Sequence, residues 1–323
     1  MPKVSVVIPT YNRAQFLSEA VQSVMSQSFK DFETIVVDDG STDNTREILA
    51  SLPVRYIRQE NRGVSAAINR GIEASSGDYV VFLASDDVLL ETTLQKEVEI
   101  LDSYPEVGFC YGQAQYIDEN GSIFRVRKSS FLDGSTIVDG KEQIRELLFL
   151  CRITQSSSMV RRSRIAEVGG MHEELTFAED RHFFIRLAKT CSAAYIAEPL
   201  VKYRVHSGQL HRKVDYRAAE KVFLLVLKEV YEDPNFAPYF QDCKNRAYCY
   251  SYRRIASYAY GNNMRLARDY LRKALAIYPQ ILLERPGLAI AYRYATSLLP
   301  RRLWLGLREL KWHLQDTQES LRE

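Results

Sequence analysis

The chain has 323 residues, 46% of them hydrophobic and 26% charged, which is enough to bury a full core and too much for one minimal domain. That composition excludes a disordered chain, a collagen-like chain and a small disulfide scaffold. The net charge of +2 argues against nucleic acid as the partner, but it is unevenly spread: residues 1–240 carry −6, residues 241–313 carry +10 and residues 314–323 carry −2.

Val4-Ser5-Val6-Val7-Ile8 reads as a β-branched strand ended by Pro9, and Phe16, Leu17, Ala20, Val21, Val24 and Met25 fall on one helical stripe. Thr34 to Val37 is a second strand, ended by Asp38-Asp39-Gly40. Thr42 is placed to cap a helix running through Leu49. Val54 to Ile57, a helix over 64–75 and Tyr79 to Leu83 continue the alternation. Strand and helix in turn, with near-continuously apolar strands, predict a mostly parallel sheet covered on both faces. Residues 105–205 read as mixed: strands at Val107–Ile117 and Gln155–Val160, a helix over 179–189, and an extended segment at Ala194–Tyr203. From Asp215 onward the pattern is helical. Tyr252–Tyr260 and Leu266–Ile277 form a helix pair of TPR-like spacing around Gly261-Asn262-Asn263, although one copy makes no solenoid.

The five cysteines are scattered and odd in number, with no CxxC, which fits free buried thiols in a reducing compartment. Met1-Pro2-Lys3 leads straight into a strand and is no signal peptide, and no run of about 18 apolar residues marks a membrane span. The GxGxxG and GxxxxGK[ST] phosphate loops are absent.

Polar residues collect just past the strand ends: Thr10-Tyr11-Asn12, Asp38-Asp39 and Ser85-Asp86-Asp87. In open α/β sheets ligands bind at that edge. Four carboxylates there repel one another unless a cation sits among them, and oxygen donors suit magnesium or manganese with a phosphate-bearing ligand. Aspartates also cap helices and shape turns, so each pair has a structural reading as well.

Taken together, Val4 to Arg13, Gln27 to Glu33, Val36 to Asp43, Asn61 to Asn69 and Gly77 to Leu83 resemble the family 2 glycosyltransferases with the GT-A fold, over about residues 3–210. The resemblance implies a Rossmann-like, mixed, mostly parallel sheet flanked by helices over residues 1–214; the C-terminal α-helical region over 215–323 lies outside it and is read from its helical pattern. It implies an inverting enzyme that moves a sugar from a nucleotide diphosphate-sugar, uridine being the family's commonest base, to a hydroxyl of a glycan or lipid-linked acceptor.

Carried over residue by residue, the resemblance implies that Pro9, Thr10, Tyr11 and Arg13 line the nucleotide pocket, with the Tyr11 ring on the base. Asp39 would accept from the base, and Asp38 would shape the turn or touch the ribose. Asn61, Gly63 and Ser85 belong to the same donor-binding motifs. Asp86 would contact ribose or the metal shell, and Asp87 would be the main ligand of a Mn2+ or Mg2+ cofactor. Ala84 stands where the family usually has another aspartate, which removes support behind the metal.

Phe177-Ala178-Glu179-Asp180 resembles the family's Glu-Asp motif at a helix start, which would make Asp180 the general base and Glu179 an acceptor-orienting group; as plain chemistry, the pair also reads as an acidic helix start. Gly169-Gly170-Met171-His172-Glu173 departs from the usual Gly-Gly-Phe-Asp-Glu, and Gly170, Met171 and His172 are expected near the acceptor. In Tyr203-Arg204-Val205-His206, Arg204 would clamp diphosphate oxygens and His206 would ligate the metal or touch the leaving group.

The basic, Leu- and Trp-bearing residues 281–313 fit either a packing helix or one lying on an anionic membrane, so a cytoplasmic protein at the inner face of the membrane is one expected setting. No QxxRW signature marks a polymer-extruding synthase. Two other readings are weighed: a nucleotidyltransferase, whose Gly-rich first loop is missing, and a degenerate nucleotide-sugar-binding module, against which the intact Asp39, Asp87, Glu179 and Asp180 argue.

Overall fold

The computed structural model describes residues 1–127, 134–209, 215–260, 262–284 and 294. The chain divides into two compact units, Met1–Lys213 and Val214–Glu323. Most of the Leu- and Trp-bearing basic residues at 281–313 lie outside the described residues. Among the described residues no helix is long and apolar enough to cross a membrane.

The first unit is built on one mixed sheet. Its strands are β1 (Val4–Thr10), β2 (Phe32–Asp38), β3 (Arg55–Arg58), β4 (Tyr79–Phe82), β5 (Val88–Leu89), β6 (Val107–Ile117), β7 (Ile123–Arg127), β8 (Thr136–Val138), β9 (Ser158–Arg161) and β10 (Ser192–Arg204). Their order is β3-β2-β1-β4-β9-β6-β10-β5, with β7 added beside β6 and β8 beside β10. From β3 to β4 all pairing is parallel, as the alternation predicts. β9 then runs antiparallel between β4 and β6, while β6 and β10 are again parallel.

Helices α1 (Ala14–Met25), α2 (Thr45–Leu49), α3 (Val64–Ala74), α4 (Thr93–Ser103), α5 (Gly140–Phe149), α6 (Arg162–Val168) and α7 (Glu179–Ala188) flank the sheet. Val4, Val6 and Ile8 of β1 share one core with Leu17, Val21 and Val24 of α1, which is why the apolar stripe of that helix was legible. Burying a side chain of this size stabilises by about 1.5–3 kcal/mol.

Thr42 is not the cap of α2. Its amide and hydroxyl both donate to Asn12 Oδ1; the N-cap is Asn44, and the Asp43 side chain before it accepts from Thr45 N at 3.2 Å and Thr45 Oγ1 at 2.6 Å. The other oxygen of Asp43 accepts from Ala14 N at 3.1 Å, so one carboxylate ties the starts of α1 and α2 together. Against the cost of burial, the bonds from Thr45 and Ala14 hold Asp43 below its ordinary pKa. Gln155–Ser157, expected as strand, is a 3-10 turn, and β9 begins only at Ser158.

In the second unit α8 (Tyr216–Tyr231) is capped by Asp215, α9 spans Lys244–Ala259, and α10 (Met264–Ile277) is capped by Asn263, whose Oδ1 accepts from Leu266 N at 3.1 Å. α9 packs against both α8 and α10.

Candidate active site

The first acidic pair accepts six hydrogen bonds from the protein. Thr10 and Asp38 end β1 and β2 in register, and Asp39 N donates to Thr10 O at 2.9 Å. Asp38 is fully buried; it accepts from Ser41 N at 2.7 Å and Tyr56 Oη at 2.7 Å, with Arg58 Nη1 at 3.4 Å. Of its two expected roles, these bonds show the shaping of the turn, which they tie to β3. Asp39 accepts from Gln59 Nε2 at 2.8 Å, Arg62 N at 2.9 Å and Gly63 N at 2.8 Å. It therefore shapes the loop that enters α3, where Gly63 takes φ +91°, a conformation open to glycine.

Around this knot stand the remaining donor-side candidates. Pro9 pairs with Val37 across β1 and β2. Tyr11 is 45% exposed and offers a ring face, and Asn61 is exposed. Thr10 Oγ1 is buried and has no hydrogen-bond partner among the described residues. Arg13 donates to Gly208 O at 2.6 Å, and its Nε lies 3.8 Å from Asp86 Oδ2.

The second pair follows β4 in the turn Ala84-Ser85-Asp86-Asp87, with Ser85 buried. Asp87 Oδ1 accepts from Arg204 N at 3.0 Å and Oδ2 from Ser156 Oγ at 2.6 Å. Ser156 also accepts from Ala84 N at 3.1 Å, so this serine braces the turn at the position where an aspartate is missing. Burial, and then the charge of Asp86, push the Asp87 carboxyl well above its ordinary pKa. A cation beside it would relieve both effects.

Among the described residues no group of three His, Cys, Asp or Glu side chains could hold a metal. Two hard oxygen donors fit Mg2+ or Mn2+, which leave their other positions to phosphate oxygens and water.

Two expectations are corrected here. His206 Nδ1 accepts from Gly208 N at 3.2 Å, so Nε2 carries the proton shared with Asp86 Oδ2 at 2.9 Å. No ring nitrogen is left for a metal, and His206 orients Asp86 instead. Arg204 is 2% exposed. Its guanidinium donates to Asp86 O at 3.0 Å, to Glu119 O at 3.2 Å, to Asp118 O at 3.4 Å and to the Glu19 carboxylate, and lies over the Phe16 ring. It is a buried strut, turned away from any clamp on diphosphate oxygens.

Glu179 and Asp180 open α7 after Ala178, which sits in the left-handed region at φ 50°. Asp180 Oδ1 accepts from Arg181 N at 2.7 Å, which binds the carboxylate to its own helix start. Burial raises the Asp180 pKa, against the opposing charges of Arg181 and Arg127. Glu179 is pushed up to about 7, by burial and by the charge of Asp180.

The Gly169–Glu173 loop is held on α3 by Asn69, which accepts from Met171 N at 2.7 Å and donates to Met171 O at 2.9 Å. A Cβ on Gly170 would stand 2.2 Å from Asn69 Oδ1, so glycine is required for this approach. Met171 is 4% exposed. Gly170 and Met171 therefore anchor the loop rather than face an acceptor, while His172 stays half-buried with its ring 5.6 Å from that of His182.

Sequence reasoning missed Ser156 and Arg127. The run Gln155-Ser156-Ser157-Ser158 was read as the start of a strand. Its density of small hydroxyl side chains was the available signal for a turn that hydrogen-bonds elsewhere.

A family model for glycosyl transferase family 2 matches residues 5–169. An uncharacterized glycosyltransferase of Rickettsia felis is 30% identical over 219 residues, covering 66% of this chain and 36% of that protein. The chain likewise spans about a third of the length of the Rickettsia conorii and Rickettsia bellii relatives, 35% and 31%. A Campylobacter jejuni protein named GalNAc(5)-diNAcBac-PP-undecaprenol beta-1,3-glucosyltransferase is 28% identical over 319 residues, covering 94% of this chain and 96% of that one.

Among solved structures, S. aureus TarS in complex with UDP-GlcNAc shares the fold with a TM-score of 0.67 at 18% identity, covering 91% of this chain and 90% of that one. The mannosyltransferase PcManGT from Pyrobaculum calidifontis, in complex with GDP-Man and Mn2+, does so with a TM-score of 0.57 at 20% identity, covering 94% and 83%. With the family model spanning half of the chain, and with acidic pairs closing β2, following β4 and opening α7, the chain belongs to glycosyl transferase family 2.

Proposed function

We propose that the chain is an inverting glycosyltransferase that moves a sugar from a UDP-sugar to a hydroxyl of a glycan or lipid-linked acceptor in surface polysaccharide or glycoconjugate assembly. The observation that carries this reading is the division of labour among its carboxylates. Asp86 and Asp87 are fixed at a strand end by His206, Arg204 and Ser156, whereas Asp180 spends one oxygen on its own helix start and keeps the other for a proton. A bound Mn2+ or Mg2+ would neutralise the diphosphate as it leaves.

Asp86 and Asp87 would hold that cation, and the Tyr11 ring would carry the base. Asp180 accepts the proton of the acceptor hydroxyl, whose oxygen then attacks the anomeric carbon on the face opposite the diphosphate. A single displacement of this kind inverts the configuration and needs no covalent intermediate. The two structural neighbours were solved in complex with UDP-GlcNAc and GDP-Man, and the Campylobacter relative is named for an undecaprenol-linked acceptor. These support a nucleotide-sugar donor and a lipid-linked acceptor, which in turn favours a cytoplasmic site of action at the membrane's inner face.

Calorimetric titration of UDP with Mn2+ and again with a chelator tests the donor half. Metal-dependent binding is expected; silence in both conditions, and with GDP, overturns the reading. Nuclear magnetic resonance of the first-formed product tests inversion, and a retained anomer would refute it.

A further inference from the structure

α7 opens with Glu179-Asp180, and the side chain of the next residue, Arg181, has no part in the roles assigned so far. The Arg181 backbone amide donates to Asp180 Oδ1 at 2.7 Å. Its side chain is 2% exposed and reaches away from α7 to the end of α5, where Nε donates to Leu147 O at 2.6 Å and Nη2 to Leu148 O at 2.8 Å. α5 ends at Phe149, so these carbonyls belong to its last turn, where a helix has no amide of its own to offer them. That end is also the negative pole of the helix, and it suits a guanidinium. One residue thus holds the Asp180 carboxylate with its backbone and a neighbouring helix with its side chain.

From Leu148 the chain runs on to the donor side. Arg127 Nη2 donates to Cys151 O at 2.7 Å and Arg127 Nη1 to Tyr116 Oη at 3.1 Å, which ties this stretch to β6. The 3-10 turn Gln155–Ser157 follows. There Ser156 Oγ donates to Asp87 Oδ2 at 2.6 Å, and Ser157 Oγ donates to Gly112 O of β6 at 3.1 Å. Residues 147–157 therefore form one bracket, with the start of α7 fastened at one end and Asp87 at the other. The entry to α7 needs such a fastening. Ala178 before it sits at φ 50° and ψ 32°, a left-handed conformation that a residue with a Cβ keeps only where its surroundings hold it.

We propose that Arg181 is a positioning residue for the transfer step: by fastening the start of α7 to the end of α5, it sets Asp180 at a fixed distance from Asp87, through the segment that carries Ser156. This assignment rests on the glycosyl-transfer reading above. In that reading Asp180 takes the proton of the acceptor hydroxyl, while Asp87 holds the cation beside the diphosphate that leaves. The two carboxylates serve opposite faces of one anomeric carbon. One follows β4 and the other opens a helix, so packing between elements sets their separation. A shift of about 1 Å in such a pair costs about 100-fold in rate.

An arginine suits this place for a physical reason. Lysine is a point charge on a flexible stem, whereas the planar guanidinium reaches two consecutive carbonyls at once and fixes an angle as well as a distance. The same charge opposes the effect of burial on Asp180, as that of Arg127 does. Arg181 acts through Asp180, so its loss should lower kcat and leave donor binding as it is.

The test is Arg181→Lys and Arg181→Met in the full chain, assayed for hydrolysis and transfer with UDP-GlcNAc and UDP-glucose, beside calorimetry of UDP with Mn2+. The expected result is a fall in kcat of about 10-fold for Arg181→Lys and about 100-fold for Arg181→Met, with KM and the affinity for UDP changed by less than about twofold. Arg181→Lys keeps the buried charge and answers the question even where Arg181→Met fails to fold. The sharper readout is Arg181→Lys combined with Asp180→Asn. With the base gone there is nothing left to position, so the double variant should be no slower than Asp180→Asn alone. A general loosening of the fold would slow it further. A kcat for Arg181→Lys equal to that of the wild type overturns the assignment alone, as does a loss of UDP affinity that matches the loss of kcat, or a further fall in the double variant. Failure of the wild-type protein to bind any nucleotide with metal overturns this assignment and the glycosyl-transfer reading together.

Discussion

Asp38-Asp39 and Asp86-Asp87 are the same dipeptide at the same edge of one sheet, one closing β2 and the other in the turn after β4. Their surroundings differ. The first pair receives backbone and side-chain donors on every oxygen, so its charge is consumed in holding Ser41, Tyr56, Gln59 and the loop into α3. The second pair has fewer donors and includes a carboxyl whose buried charge is opposed by its own neighbour. An acidic pair at a strand end is thus either a scaffold or a site, and the count of hydrogen-bond donors around it decides which. Glu179-Asp180 extends the series: it is the least committed of the three, and the charge of Asp180 adds to burial in raising the Glu179 pKa.

The comparison can be broken most sharply at its uncommitted end. Asp180→Asn keeps the shape and its hydrogen bond to the helix start while removing the base, so transfer should fall by about 10²- to 10⁴-fold with UDP binding retained. Steady-state kinetics beside calorimetry would show this, and full activity in the variant would remove Asp180 from the mechanism. Asp87→Asn should abolish the metal dependence of UDP binding with little change in melting temperature. Asp39→Ala should do the converse: three donors lose their acceptor, at a cost of about 2–4 kcal/mol in chemical denaturation. Equal stability losses for Asp39→Ala and Asp87→Asn would erase the distinction drawn between the pairs.

Two smaller effects sharpen it. Glu97 on α4 is fully buried, and neither carboxyl oxygen has a hydrogen-bond partner among the described residues. Burial raises its pKa well above 4.5, so the folded chain holds a neutral acid where the unfolded chain would ionise. Stability from this group is complete below about pH 4.5 and is lost as pH rises toward the folded value. Glu97→Leu should therefore stabilise by about 1–2 kcal/mol at pH 8 and by less at pH 5, read from thermal unfolding at both values. Last, Glu179 is raised to about 7 by burial and by Asp180, so the acid limb of the rate profile should lie near neutrality. Glu179→Gln removes one like charge and should move that limb to lower pH, and an unmoved limb would show that the two carboxyls do not share their titration.

The legible part of the fold was its parallel half. Large β-branched and aliphatic side chains there occupy strand and helix periods without interruption, and both faces of β1, β2 and β4 are buried. The second unit was read short for the opposite reason. α9 begins at Lys244, eight residues before the Tyr252 start expected for it; its buried residues are Ala247, Cys249, Ser251, Ile255, Ala256 and Ala259. Five of those six are small residues that leave no bulky apolar stripe to see. The short strands β5, β7 and β8 had too few residues to show a period at all.

The order of strands and helices, the polar clusters that end them and the family resemblance were set down in the order of amino acids, because each depends on neighbours within a few residues. The roles of individual polar side chains were not. Arg204 and Arg181 are both long cations in motif-like positions, and both are buried. Arg204 is spent on Asp86 O, Asp118 O, Glu119 O and Glu19, and Arg181 donates to Leu147 O and Leu148 O. A buried charge must find partners wherever the folded backbone offers them, and those partners come from segments distant in the chain. Only the tertiary structure could turn His206 from an expected metal ligand into a prop for Asp86 and set Ser156 behind Asp87.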